Sequence, residues 1–307
     1  MKLPPFIREN VPLAGLTTFS IGGPVRWLAE PANREELRIA LALAGELGVE
    51  ARPLGGGSNI LAADAGFAGM AIRLSPEGEF GTLHPDPVSS LRWRAGAAVG
   101  LPALLLALAD RGVAGAEFLA GIPGRLGGAA IMNAGGRDRG FGQFIAEVEV
   151  FSLAGGEQVL KGADLSFGYR RSSLAGGMAI GFVLVFPAAD APGAVRARMR
   201  DFLERKGRTQ PLGQPSAGCV FRNPPGASAG ALLDRAGCKK FREGGAGVSG
   251  RHANFIVNLG GAAARDAAVL ARRMRLAAAA DSGVWLEPEI VLWGDEPAFS
   301  FLTEGVA

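Results

Sequence analysis

The sequence predicts an α+β chain with more than one domain. Some stretches repeat apolar residues at helical spacing, and others are short runs rich in Val, Ile and Phe. The two kinds are intermixed along the chain rather than segregated. Pro187 to Pro192, made of Ala, Asp and Pro and aperiodic, reads as a connection, so a domain boundary is expected near Ala188–Ala194. At 307 residues the chain can build two or three separate cores.

Each element has its own signal. Asn33 and Glu36 form a capping box ahead of a stripe of Leu37, Leu41, Ala44 and Leu47, and Gly48 stops that helix. Ala51–Leu54 is a short strand running into a glycine triplet. Met70–Leu74 and Leu91–Ala95 follow as strands, and Leu101–Arg111 as a helix stopped by Gly112. Gly124–Asn133 reads as a small-residue helix after a turn. Ala146–Leu153 and Ala179–Phe186 are strand-like, and Gly193–Lys206 is a charged helix. Beyond it come a helix at Ser228–Ala236, a strand at Ala253–Leu259, a long helix at Ala262–Ser282 and a final strand, Val284–Leu292.

Composition removes several classes. Met1 to Asn10 has no apolar core, and the longest apolar stretch, near Leu101–Ala109, is far short of a membrane span. A secretion leader and a membrane partner are therefore not expected, and a cytoplasmic location is. Two cysteines, Cys219 and Cys238, and two distant histidines, His84 and His252, support neither a disulfide framework nor a metal site. A net charge of +3 without a basic run argues against nucleic acid and suits a small phosphorylated ligand. P-loop, GxGxxG, GxSxG and HExxH signatures are all missing.

Glycine is the anomaly, with 47 residues against roughly 21 at average usage. A GC-rich coding bias would give part of this excess. Two clusters nonetheless have a pattern. In Leu54-Gly55-Gly56-Gly57-Ser58-Asn59-Ile60-Leu61, three glycines bare backbone N–H groups after a strand, and short polar side chains follow. Such a nest suits a diphosphate, although a glycine-rich hairpin would look the same. In Gly121-Ile122-Pro123-Gly124-Arg125-Leu126-Gly127-Gly128-Ala129, Pro123 fixes a turn before a helix start and the paired glycines let a flat or anionic ligand approach. Close packing of two helices is the ligand-free alternative. Together the two cradles can grip the long axis of a dinucleotide such as FAD.

These segments resemble the UDP-N-acetylenolpyruvoylglucosamine reductases. The resemblance continues through Thr17-Thr18-Phe19-Ser20-Ile21-Gly22-Gly23-Pro24, where Ser20 replaces a usual basic residue, and through Phe167-Gly168-Tyr169-Arg170-Arg171-Ser172. It extends to Ser216–Pro224, Gly247–Asn254 and Leu286-Glu287-Pro288-Glu289, in the family's order over nearly the whole chain. It implies an FAD-binding domain of the PCMH/vanillyl-alcohol-oxidase type in two α+β lobes, followed by a smaller α+β substrate-binding domain. Here these would be residues 1–190, with the lobes divided near 66, and residues 191–307. It also implies FAD and NADPH as cofactors, a UDP-sugar enolpyruvyl ether as substrate, and reduction to UDP-N-acetylmuramate. Hydride would pass from NADPH to the flavin, and from flavin N5 to the vinyl carbon of the substrate. Protonation of an enolate-like intermediate would complete the reaction. A flavin-dependent sugar or alcohol oxidase and a non-catalytic UDP-sugar or flavin-binding relative are the alternative functions.

The family's residues carry over position by position. Flavin contacts are implied at Gly55, Gly56, Gly57, Ser58, Asn59, Ile60, Gly121, Ile122, Pro123, Gly124, Gly127, Gly128, Ala129 and Asn133. Arg170 matches the catalytic arginine, whose guanidinium can clamp a carboxylate with two parallel bonds. Glu289 matches the glutamate that steadies the enolate-like intermediate, and Glu287 is its decoy on the same face of an ideal strand. Cys219 stands where serine usually donates the proton; a thiol is the stronger acid, so activity with altered pH dependence is expected. Tyr169, Asn223 and His252 match substrate contacts. Tyr169 is the only tyrosine, which places the chain in the subgroup without a tyrosine-bearing loop. Asn133-Ala134-Gly135-Gly136-Arg137 departs from the usual pattern after the glycine. Free thiols and a monomer are expected.

Overall fold

The computed structural model describes residues 3–152 and 156–303. Leu153, the last residue of the expected strand Ala146–Leu153, lies outside the described residues. The chain forms two compact units. The first comprises Met1–Glu9, Trp27–Gly56 and Gly69–Arg205, and the second Asn10–Arg26, Gly57–Ala68 and Lys206–Ala307.

The first unit is built on a five-stranded antiparallel sheet in the order Glu157–Lys161, Ile145–Ser152, Gly177–Val185, Ser89–Gly96, Leu83–Asp86. The middle strand is apolar along most of its length because a central strand is covered on both faces. Helix Arg34–Glu46 begins as its sequence predicts: Asn33 Oδ1 accepts from Glu36 N–H at 2.9 Å. It buries Leu37, Ala40, Leu41 and Ala44 in the same core as Trp93, Leu104 and Phe151. Ala51–Pro53 runs parallel to residues 70–72, and Leu54 N–H extends that ladder to Ile72 O at 2.8 Å. The ladder ends where the glycine triplet begins.

Pro187–Pro192 is not a linker. Ala188–Ala189 pairs with Val113–Ala114, Asp190 N–H donates to Gly112 O, and Pro192 opens helix Pro192–Thr209. Val195 and Met199 of that helix are buried in the first core, and the two units part within the helix, between Arg205 and Lys206.

The second unit carries a four-stranded antiparallel sheet in the order Ser216–Cys219, Phe255–Asn258, Ala246–Val248, Arg242–Glu243. Helices Ala229–Arg235 and Ala264–Ser282 pack together through Leu232, Leu233, Ala267, Ala271 and Met274. Gly283 closes the longer helix in the left-handed conformation, φ 69°. The expected last strand is largely absent: only Val291–Trp293 is regular, parallel to Ile60–Ala62. Before it, residues 284–290 make one isolated antiparallel bridge, Pro288 with Phe221, flanked by Arg222 N–H on Glu287 O and Glu289 N–H on Val220 O. Pro288 is tolerated there because in such a pair its own nitrogen faces away from the partner segment.

Candidate active site

In the first unit the two glycine segments lie backbone against backbone. A Cβ on Gly56 would sit 2.6 Å from Gly124 Cα, closer than any side chain tolerates. Gly124 has φ +112°, which only glycine adopts readily. Gly127 N–H is taken by Ala97 O at 3.0 Å, and Leu126 N–H by Val99 O. Among the described residues, the N–H groups of Gly55, Gly56 and Gly128 donate to no protein acceptor. Gly128 lies inside helix Leu126–Ile131, where glycine costs about 0.5–1 kcal/mol relative to alanine, yet its absent side chain would meet nothing within 4 Å. Protein packing therefore does not explain this glycine. Beside it opens a cleft lined by Leu54, Ile72, Leu74, Ala97, Ile131 and Met178, with Gly55, Gly127 and Gly128 at its polar end. An apolar slot ending in unpaired N–H groups fits a flat ring system carrying a diphosphate.

Arg125 also lines this cleft, a residue that motif reading passed over because it stands between glycines. Its Nη1 donates to Leu74 O at 2.5 Å. Burial, and then the neighbouring Arg73, hold its pKa below the ordinary arginine value. A partly desolvated cation beside unpaired N–H groups adds to the attraction for an anion.

Gly121, Ile122 and Pro123 form the turn leading in, with Gly121 at φ +79° and Ile122 N–H on Leu119 O. Ala129 is buried, with its N–H on Arg125 O. Asn133 has both ends of its amide engaged by protein: Nδ2 donates to Gly168 O and Oδ1 accepts from Gly142 N–H, each at 2.9 Å. Its position is thus that of a brace.

What Asn133 braces is the hairpin of Phe167–Gly168 and Arg171–Ser172. Tyr169 and Arg170 form its two-residue turn. Arg170 has φ 57°, at the position where a turn ordinarily takes glycine or asparagine. Its Nη1 donates to Gly135 O at 3.1 Å, and its guanidinium lies 5.3 Å from the Tyr169 ring centre. Ser172 Oγ donates to Ile131 O at 2.9 Å. These bonds fasten the hairpin to the segment that follows the cleft helix. A non-glycine residue kept in a left-handed turn marks the arginine side chain as the reason.

The second unit holds Gly57, Ser58, Asn59 and Ile60, together with Cys219, Asn223, His252 and Glu289. Gly57, at φ +63°, is fixed by packing: a Cβ there would sit 2.1 Å from Leu16 O. Asn59 Nδ2 donates to Glu289 O at 3.0 Å. Glu289 N–H donates to Val220 O, and Arg222 N–H to Glu287 O, both at 2.8 Å. This pairing brings the Cys219 segment and the Glu289 segment together. It also separates the glutamate from its decoy. Glu289 is 8% exposed, whereas the Glu287 side chain is 59% exposed and lies 3.7 Å from Arg222. Asn254, 2% exposed, holds the strand from the other side: its amide bonds both N–H and C=O of Phe221, at 3.0 and 2.7 Å.

Asn223 Oδ1 accepts from Ala229 N–H at 2.9 Å, at the start of helix Ala229–Arg235. His252 is half-buried, with Nδ1 accepting from Asn254 N–H at 3.2 Å, and its ring stands edge-on to Phe255. Desolvation, and then Lys239, lower its pKa, with Asp234 opposing. The bond at Nδ1 and the contact with Phe255 fix the ring's orientation within the unit. Cys219 is partly exposed; Cys238 is fully buried, and burial raises its thiol pKa to about 11. Among the described residues, no three His, Cys, Asp or Glu are grouped to hold a metal ion, and no helix is long and apolar enough to cross a membrane.

Residues 25–160, which include the cleft's glycine segments, match the profile of an FAD binding domain, and that defines the class, an FAD-binding protein. Residues 210–293 match that of the UDP-N-acetylenolpyruvoylglucosamine reductase C-terminal domain. UDP-N-acetylenolpyruvoylglucosamine reductase 2 of Symbiobacterium thermophilum is 41% identical over 294 residues, 95% of this chain and 94% of the relative. The reductase of Moorella thermoacetica is 39% identical over 94% of each chain. The crystal structure of the enzyme from Thermus caldophilus superposes with a TM-score of 0.81 at 38% identity, covering 94% of this chain and 100% of that one. The chain belongs to the UDP-N-acetylenolpyruvoylglucosamine reductase family.

Proposed function

We propose that this chain is an NADPH-dependent, FAD-containing reductase that converts UDP-N-acetylglucosamine enolpyruvate to UDP-N-acetylmuramate for peptidoglycan precursor synthesis. The observation that supports the reading best is the backbone pairing that seats buried Glu289 opposite the strand carrying Cys219. FAD, when bound, supplies a hydride carrier between NADPH and the substrate. The N–H groups of Gly55, Gly56 and Gly128 and the cation of Arg125 would hold its diphosphate, and the apolar cleft walls its rings.

The remaining chemistry belongs to this chain's side chains. Arg170 binds the substrate carboxylate and stays charged as negative charge spreads onto it. Hydride addition forms a C–H bond at the vinyl CH₂ carbon, and the π pair moves to the carbon bearing the carboxylate. The Cys219 thiol gives that carbon its proton, and the thiolate regains one from solvent. Glu289 steadies the enolate-like charge through its own proton or a water. Tyr169 and Asn223 border the substrate. NADPH and nucleotide sugars are cytoplasmic metabolites, which supports that location. We propose that the chain acts as a monomer.

The test is NADPH oxidation by flavin-loaded protein, with and without the enolpyruvyl substrate. Substrate must drive turnover. Cys219→Ala should still accept hydride from NADPH yet turn over about 10²–10⁴-fold more slowly, and Cys219→Ser should stay active with its alkaline limb moved upward. A flavin that is reduced normally while substrate changes nothing would sink the assignment.

A further inference from the structure

We infer that Asn59 is a positioning residue for Glu289, not a flavin ligand, so that the loop after the glycine triplet sets the direction of the Glu289 side chain. The inference rests on the reductase reading for its kinetic consequence. Its structural basis is independent of that reading.

Asn59 grips the Glu289 segment at two points. Its side-chain Nδ2 donates to Glu289 O at 3.0 Å, and its main-chain carbonyl accepts from Val291 N–H at 2.9 Å. The two bonds bracket Ile290. Directly afterwards the chains settle into a regular parallel ladder, Ile60 opposite Val291 and Leu61 opposite Leu292. Upstream, Pro288 makes a single antiparallel bridge with Phe221, and Glu289 N–H donates to Val220 O. Glu289 therefore sits where a regular ladder has not yet begun. Its carbonyl lies in the peptide plane that also sets the Glu289 ψ angle, and Asn59 Nδ2 holds that plane. Only a side-chain donor can make this bond. The Asn59 carbonyl is already committed to Val291, and the ladder proper starts one residue later.

Removing the donor frees the Glu289–Ile290 peptide to rotate, which re-aims a carboxyl group whose usefulness depends on sub-ångström placement. The consequence is confined to the step that uses Glu289. Hydride acceptance from NADPH does not use it. Reoxidation by the enolpyruvyl substrate does.

The experiment compares Asn59→Ala, Asn59→Asp and Glu289→Gln with the double variant Asn59→Ala/Glu289→Gln, all as flavin-loaded full-length protein. FAD content is read by absorbance and each half-reaction by stopped flow. Asn59→Ala should keep its FAD and accept hydride normally, while substrate-driven reoxidation slows by about 10- to 100-fold. Asn59→Asp, the same size without the donor, should be similarly slow. In the Glu289→Gln background, Asn59→Ala should slow reoxidation by less than about threefold, because two residues acting through one group are not additive. Loss of FAD from Asn59→Ala, or effects that multiply in the double variant, would overturn the inference. Amide exchange of a peptide spanning 286–291 gives a second reading, and it should quicken in both Asn59 variants. Unchanged exchange there also counts against the inference. If wild-type protein shows no substrate-driven reoxidation, the reductase reading fails while the exchange result still decides the role of Asn59.

Discussion

Arg170 occupies a left-handed turn position, φ 57°, that glycine fills at no steric cost. Arg170→Gly should relieve about 1 kcal/mol of backbone strain, while Arg170→Ala keeps the strain and loses the same bond to Gly135. The glycine variant should therefore unfold at higher denaturant than the alanine variant, yet both should lose kcat/KM by at least about 100-fold, since neither can clamp a carboxylate. Equal stability of the two would mean that the turn is not strained. The sequence showed Arg170 and Glu289 as motif positions. It could not show the φ angle, nor that Glu289 is buried while Glu287 is not. The setting of His252 was equally hidden: Nδ1 accepts from Asn254 N–H and the ring stands against Phe255, neighbours that only the fold supplies. Its pKa is lowered by burial, so the unfolded chain binds the proton more tightly. Stability should then fall as pH drops below the unfolded value of about 6.5, and level off once the folded-state ring also protonates. Protonation at Nδ1 would also break the bond from Asn254. His252→Asn keeps an acceptor at that point without titrating, and melting curves from pH 7.5 to 5 should show a shallower decline.

Helices with their own punctuation were legible and edge strands were not. Asn33 and Glu36 announced helix Arg34–Glu46, and Gly283 closes Ala264–Ser282. Leu83–Asp86 contains Pro85, and Glu157–Lys161 has only one face covered, so both are held mainly by their partners. The expected strand Val284–Leu292 is regular only from Val291, because the segment changes partner on the way: Pro288 bridges Phe221, and Val291 pairs with Ile60. The cleft helix is only six residues long, so anion attraction there rests on individual N–H groups and on Arg125, not on an extended helix dipole. The hairpin bearing Arg170 depends on Asn133, itself at φ 42°. Asn133→Ala removes two hydrogen bonds and puts alanine in a left-handed conformation, which should cost about 2–4 kcal/mol. Asn133→Asp keeps the acceptor toward Gly142 and loses only the donor toward Gly168, so it should cost less. Denaturant titration of both variants orders them, and the reverse order would mean that the Gly168 bond dominates.

At the scale of the molecule, the glycine excess mixes residues kept for different reasons, and the sequence cannot separate them. A Cβ on Gly66 would lie 1.9 Å from Pro24 O, so that glycine is required by packing. Gly128 meets no protein atom and sits in a helix, so folding alone would favour alanine there. This gives a prediction with opposite signs in the two states of the protein. Without FAD, Gly128→Ala should raise the unfolding free energy by about 0.5–1 kcal/mol through helix propensity. With FAD, wild-type protein gains further stability by mass action, about 2.7 kcal/mol at a hundredfold excess over Kd. A methyl group projecting into the cleft weakens that binding, and each tenfold loss of affinity removes about 1.4 kcal/mol of the gain. The variant should therefore melt above wild type when stripped of flavin and below it when saturated. Thermal melts of both proteins across an FAD titration would show the curves crossing. Parallel curves would mean that the cofactor does not approach Gly128 and that the cleft is not its seat.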